Sequence, residues 1–121
     1  LQRAVAAGLE YDDSYFAGLS AQQQSKRDRI AGALEAAGFE TLKTEGTYFL
    51  SVDIRTVGFE GDDAQFCEHI IREAGVAAIP MSAFYQDGDV RHFARFCFCK
   101  QDAILDAAAE KLAQHFGARG A

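Results

Sequence analysis

Basic residues are scarce in this chain. Twelve lysines and arginines stand against eighteen aspartates and glutamates, for a formal net charge of −6, and no basic run occurs. Neutralising phosphates takes clustered cations, so this balance excludes a general nucleic-acid binder. No apolar stretch approaches the roughly 18 residues of a membrane span, and no leader peptide is visible. Cysteine occurs three times, at Cys67, Cys97 and Cys99, an odd number that excludes a fully paired disulfide framework. Free thiols predict a reduced, cytoplasmic compartment. Cys97 and Cys99 lack a second pair, and His69, His92 and His115 show no ligand spacing, which argues against a zinc site. There is no GxGxxG and no P-loop. Pro80 is the single proline, and neither repeats nor a low-complexity linker divide the chain.

What is present fits one domain. The 121 residues, 49% hydrophobic and 25% charged, have an ordinary globular composition. A chain of this length buries roughly two-thirds of its unfolded surface. Leu1, Val5 and Leu9 share one helical face, so the chain begins partway along a helix and reads as a piece of a longer protein or a processed product.

Periodicity predicts the order α-α-β-β-α-β-β-α. After a first helix over 1–9, Asp12 or Asp13 caps a longer one. Its inward positions are Phe16, Leu19, the Lys26 stem, Ile30, Leu34 and Ala37, and Gly38 stops it. A short strand over 39–43 and a Glu45-Gly46 turn lead to TYFLSVDI (47–54). There Tyr48, Leu50, Val52 and Ile54 face one way, and Thr47, Phe49, Ser51 and Asp53 the other. A loop over 55–61 precedes a helix capped by Asp62 or Asp63, with Phe66, Cys67, Ile70 and Ile71 inward and Gly75 as its end. Pro80 is expected to end a short strand at Ile79. QDGD (86–89) is a loop, and a last helix starts at Gln101 or Asp102, turns Leu105, Ala108, Leu112 and Phe116 inward, and ends at Gly117. The fold class expected is α/β, with an α+β-like arrangement: a small three- to four-stranded sheet covered by helices on one face.

The stretch RHFARFCFCK (91–100) carries an anomaly. Phe96 and Phe98 point to one side of the strand, Arg95, Cys97 and Cys99 to the other. A guanidinium is always charged, and burying it unpaired is expensive. Two partners are open: an acid of the domain, for example Asp53, or a carboxylate brought by a ligand. The cysteines themselves read as small hydrophobes of an apolar strand rather than as catalytic thiols.

Taken in order, KRDRIAGALEAAGF (26–39), GTYFLSVDI (46–54), GVAAIPMSAFY (75–85) and ARFCFCK (94–100) followed by a helix resemble one family. The sequence is similar to the C-terminal part of class I/II pyridoxal-phosphate aminotransferases of fold type I, in the branch of the kynurenine, glutamine and methionine transaminases and the N-succinyldiaminopimelate aminotransferases. The resemblance covers essentially all 121 residues. It departs from the family at KTEG (43–46), which lacks the proline that often precedes Gly-x-Tyr-Phe. The family's Ser-x-x-Lys is also missing, since none of Lys26, Lys43, Lys100 and Lys111 has a serine three positions earlier.

The resemblance implies that residues 1–121 are the small domain of a cytoplasmic homodimeric aminotransferase. Pyridoxal 5'-phosphate would then be bound by a large domain absent from this chain, and the fragment alone would be inactive. In the family an arginine in a motif matching ARFCF grips the α-carboxylate of the amino-acid or 2-oxo-acid substrate, so Arg95 inherits that role. Phe49, on the same open face, is a second substrate-binding candidate, with packing between domains as the open alternative, and Ser82 and Phe84 are further candidates that the sequence does not decide. The competing expectation is a non-enzymatic α/β module that binds amino acids or mediates association. A Ser-x-x-Lys upstream of Leu1 would decide for the enzyme.

Overall fold

The structure, a computed structural model, describes residues 1–117. Four α-helices, α1 (Gln2–Leu9), α2 (Asp13–Ala36), α3 (Asp63–Glu73) and α4 (Asp102–Phe116), accompany a sheet of four strands. The strands are β1 (Glu40–Thr41), β2 (Phe49–Asp53), β3 (Ile79–Pro80) and β4 (Phe93–Cys97), in the order β1-β2-β4-β3. All three pairings are antiparallel.

Local chemistry sets the boundaries. Asp12 caps α2 by accepting the Ser14 amide at 2.8 Å. At the other end Gly38 takes φ +97°, its amide donates to Glu35 O, and the Phe39 amide donates back to Leu34 O. That Schellman arrangement needs a residue free to enter the left-handed region, which is glycine's property. The cap of α3 is Asp62, in a reciprocal capping box with Gln65. Asp63 is therefore the first helical residue, and its function lies elsewhere.

One face of the sheet carries the core. Leu50 and Val52 of β2 and Ala94 and Phe96 of β4 are buried beneath Ile30 and Leu34 of α2, Phe66 and Ile70 of α3, and Leu105, Leu112 and Phe116 of α4. Four aromatic rings interlock there: Phe66 lies 6.1 Å from Phe39, 5.3 Å from Phe59 and 5.8 Å from Phe116, centroid to centroid. The other face, with Phe49, Ser51, Arg95 and Cys97, is half-buried.

Several expectations are corrected. Phe16 and Leu19 do not point into the core; they are 40% and 43% exposed. At 1.5 Å per residue the 24-residue α2 is about 36 Å long, longer than the sheet it covers, so its N-terminal half and α1 project past the core. Ile71 is exposed, and on α4 Ala109 is buried while Ala108 only borders the core, because successive helical residues lie about 100° apart and Ile71 and Ala108 fall at the edge of the buried stripe. β2 stops at Asp53, and Ile54 begins a 3-10 turn (Ile54–Val57) within the expected loop. The Asp53 side chain accepts the Arg55 amide at 2.9 Å and caps that turn. Pro80 does not lie beyond the strand but pairs with Ala94. β3 is an edge strand, where a residue lacking an N–H is tolerated. Thr47 takes φ +63°, uncommon for a β-branched residue, in the turn that delivers Tyr48 and Phe49 to β2.

Candidate functional site

The half-polar sheet face is organised around Arg95. The register sets Ser51 opposite Arg95 on β2 and Ile79 opposite it on β3, while Phe49 pairs with Cys97, one same-face step away. The Phe49 ring therefore reaches diagonally over the guanidinium, 4.0 Å from centroid to Cζ. From the other side comes Phe84, at the end of a 3-10 turn (Met81–Phe84) that follows β3, at 4.3 Å. The cation is held between two aromatic faces. Stacking of this kind occupies the faces of the guanidinium and leaves its N–H donors free in the plane.

Among the described residues no carboxylate forms an ion pair with Arg95, and its Nε is buried without a hydrogen-bond acceptor. Asp53, the expected internal partner, is engaged otherwise. It receives Arg55 Nε at 3.0 Å and Arg55 Nη2 at 2.5 Å. Of the two partners open to Arg95 in the sequence, the one named within the domain is thus removed. Beside Arg95 lies an open concavity of about 520 Å³ bounded by Phe49, Ser51 and the 43–47 turn. On its other flank is a cleft of about 460 Å³ between β3, β4 and α4, mostly apolar, with Ile79 and Ile104 in its wall.

The side chain of Arg55 holds the Asp53 carboxyl below the usual carboxylate range, with lesser help from the Arg55 amide and His92 and against the opposing effect of burial. A depressed folded-state pKa stabilises above the unfolded value of roughly 3.9, and the gain is lost as pH falls through the folded value. Asp53→Asn should therefore lower the melting temperature near neutrality, by the equivalent of about 1 kcal/mol or less because Arg55 is exposed, and the difference should vanish in strong acid. Melting curves from pH 7 to pH 2 check this; a difference independent of pH would assign the effect to packing.

Thiol chemistry finds no support at Cys67. Burial, aided by the neighbouring Asp63 charge, pushes its pKa up to about 12, so it remains a neutral thiol. All three cysteines are free. No metal-binding group of three or more His, Cys, Asp or Glu residues occurs among the described residues, and no described helix is long and apolar enough to cross a membrane.

Comparison with known proteins shows the family. The model of aminotransferase class I and II matches residues 1–112. The chain belongs to the class I and II aminotransferases. It is 42% identical over 120 residues to a probable N-succinyldiaminopimelate aminotransferase of Mycobacterium tuberculosis, covering 92% of this chain and 30% of that protein. It is 41% identical over 113 residues to the methionine aminotransferase of Escherichia coli, covering 93% and 29%. The structure of N-succinyldiaminopimelate aminotransferase from Mycobacterium tuberculosis superimposes with a TM-score of 0.86 at 43% identity, over 93% of this chain and 29% of that one. The chain thus spans about a third of the length of the relatives it matches. These similarities bear out the family and the fold class expected from the four motifs.

The aminotransferase family implies pyridoxal phosphate, and the residues present do not fit it. Lys26 donates to the Lys100 carbonyl at 2.6 Å and Lys43 pairs with Glu45 on the surface. Lys100 and Lys111 are exposed at the rim of the apolar cleft. Lys43 borders the concavity that holds Phe49, but its ammonium is paired with Glu45 and its side chain is largely exposed, and none of the four lysines has the Ser-x-x-Lys context. Arg95 and Phe49, singled out in the sequence, are brought together. Phe84 contributes the second ring, and only the path of the 81–84 turn brings it there. Ser82 is engaged by Asp63 through both its amide and its hydroxyl.

Proposed function

We propose that these residues are the small domain of a cytoplasmic, homodimeric pyridoxal-phosphate aminotransferase, and that Arg95 binds the α-carboxylate of its amino-acid and 2-oxo-acid substrates. The observation that carries this reading is a guanidinium held between Phe49 and Phe84 with no acidic partner among the described residues. The stack defrays part of the cost of burying the cation while leaving its in-plane donors open. A carboxylate can then take two parallel charge-assisted hydrogen bonds from the fork, which fixes the direction of the substrate's α-carbon. Phe49, on the concave side, would border the substrate beyond its carboxylate. Pyridoxal phosphate, held by the rest of a longer parent chain, would supply the electron sink for transamination. Family relatives that act on N-succinyldiaminopimelate, methionine and kynurenine support an amino-acid donor.

The 121 residues alone are expected to give no stoichiometric Schiff-base absorbance with pyridoxal phosphate and no turnover of any amino acid with 2-oxoglutarate. The complete protein should transaminate, and Arg95→Lys should impair it selectively for carboxylate-bearing donors. Robust turnover by the 121 residues alone would overturn the domain assignment.

A further inference from the structure

Asp63 is fully buried, yet the cap of α3 is its neighbour Asp62. Both of its carboxylate oxygens are taken up by one residue. The Ser82 amide donates to Oδ2 at 2.6 Å and the Ser82 hydroxyl to Oδ1 at 2.7 Å. The Asp63 amide in turn donates to Arg91 O at 2.8 Å. Ser82 lies in the turn that carries Phe84, and Arg91 leads into β4, which carries Arg95. One residue at the start of α3 thus ties down both ends of the intervening segment. The Ser82 amide can only donate, whereas its hydroxyl can also accept; an amide side chain in place of Asp63 could pair with both, but it would exchange two charge-assisted bonds for weaker neutral ones.

Phe84 needs such an anchor. Its side chain is 58% exposed, so core packing does not hold it, and its place over Arg95 follows from the course of the turn. A guanidinium clamped on both faces keeps one plane; with one face open it can swing, and the cost of ordering it then falls on ligand binding.

The geometry points to Asp63 as a positioning residue for Arg95: through Ser82 it fixes the turn that holds Phe84 against the guanidinium, and so sets the plane in which Arg95 meets a carboxylate. This rests on the reading of Arg95 given above.

The test uses the complete protein that carries this chain. Ser82→Ala, Ser82→Thr and Asp63→Asn are each made alone and with Arg95→Lys, and kinetics are measured with an amino-acid donor and with the matching amine that lacks the α-carboxylate. Ser82→Ala and Asp63→Asn should raise KM for the amino acid roughly three- to ten-fold, with kcat and the amine little affected. Ser82→Thr, which keeps the hydroxyl, should retain near-normal KM. In the Arg95→Lys background the added loss should disappear, because both changes act on one interaction. Should Asp63→Asn fail to fold, the Ser82 pair decides. Losses that add to Arg95→Lys, that fall equally on amine and amino acid, or that Thr does not spare would overturn the positioning role alone. If Arg95→Lys itself shows no carboxylate selectivity, the carboxylate reading falls and the positioning role with it.

Discussion

Arg95→Lys in the complete protein is expected to lower kcat/KM for amino-acid donors by roughly ten- to over a hundred-fold. Lysine keeps the charge but loses the planar fork, so a carboxylate held by two parallel bonds is left with a point contact. A hydrogen bond to a charged group contributes about 1.5–3 kcal/mol, and about 1.4 kcal/mol is a decade in rate. The fold should persist, because the described residues give Arg95 no ion pair to lose and the ammonium can still lie between Phe49 and Phe84. Pyridoxal phosphate should stay bound, since no described lysine here is placed to hold it. Amines without an α-carboxylate should be nearly indifferent. Steady-state kinetics with both donor types, alongside thermal melting, check the result. Unchanged amino-acid turnover with a collapse in stability would make Arg95 a structural cation.

Phe66→Ala should have the largest effect on stability, about 3–5 kcal/mol. The side chain is fully buried at the meeting point of α3, α4 and the chain between α2 and β1, in contact with Phe39, Phe59 and Phe116. Removing the ring forfeits apolar burial and opens a cavity whose walls are themselves rigid rings, which collapse poorly. Against the about 5–15 kcal/mol typical of whole domains, that loss is roughly a fifth or more of the total. Phe66→Leu, which keeps most of the bulk, should lose well under half as much. Urea denaturation of the three chains checks the order; a cost below about 1 kcal/mol for alanine would mean that the aromatic cluster is not the centre of the core.

The four motifs and the alternation along 47–54 and from Arg95 on were enough to read the family, the faces of the two central strands and most inward residues of α3 and α4, Ile71 and Ala108 excepted, because local periodicity reports which side of an element meets apolar matter. Gly38 was likewise legible as a stop, since only glycine enters the left-handed region freely. The extent of the core along α2 was not: Phe16 and Leu19 carry the same apolar signal as Ile30 and Leu34, and only the span of the sheet decides which of them it covers.

For Arg95 the sequence by itself determined a question rather than an answer. A charge in an apolar strand needs a partner, and Asp53 was as good a candidate as any ligand. Tertiary structure resolved the internal half of that question. The turn after β2 brings Arg55 back onto Asp53, while the register between β2 and β4 lays Phe49 across Arg95. Phe84 lies eleven residues before Arg95 with no periodic relation to it, and Asp63 is separated from Ser82 by nineteen. Contacts of that kind arise from where a turn and a helix end meet in space. Composition and spacing determine which faces are apolar and where elements stop; which polar groups are left to act on a ligand is set by how the folded chain has already paired the others.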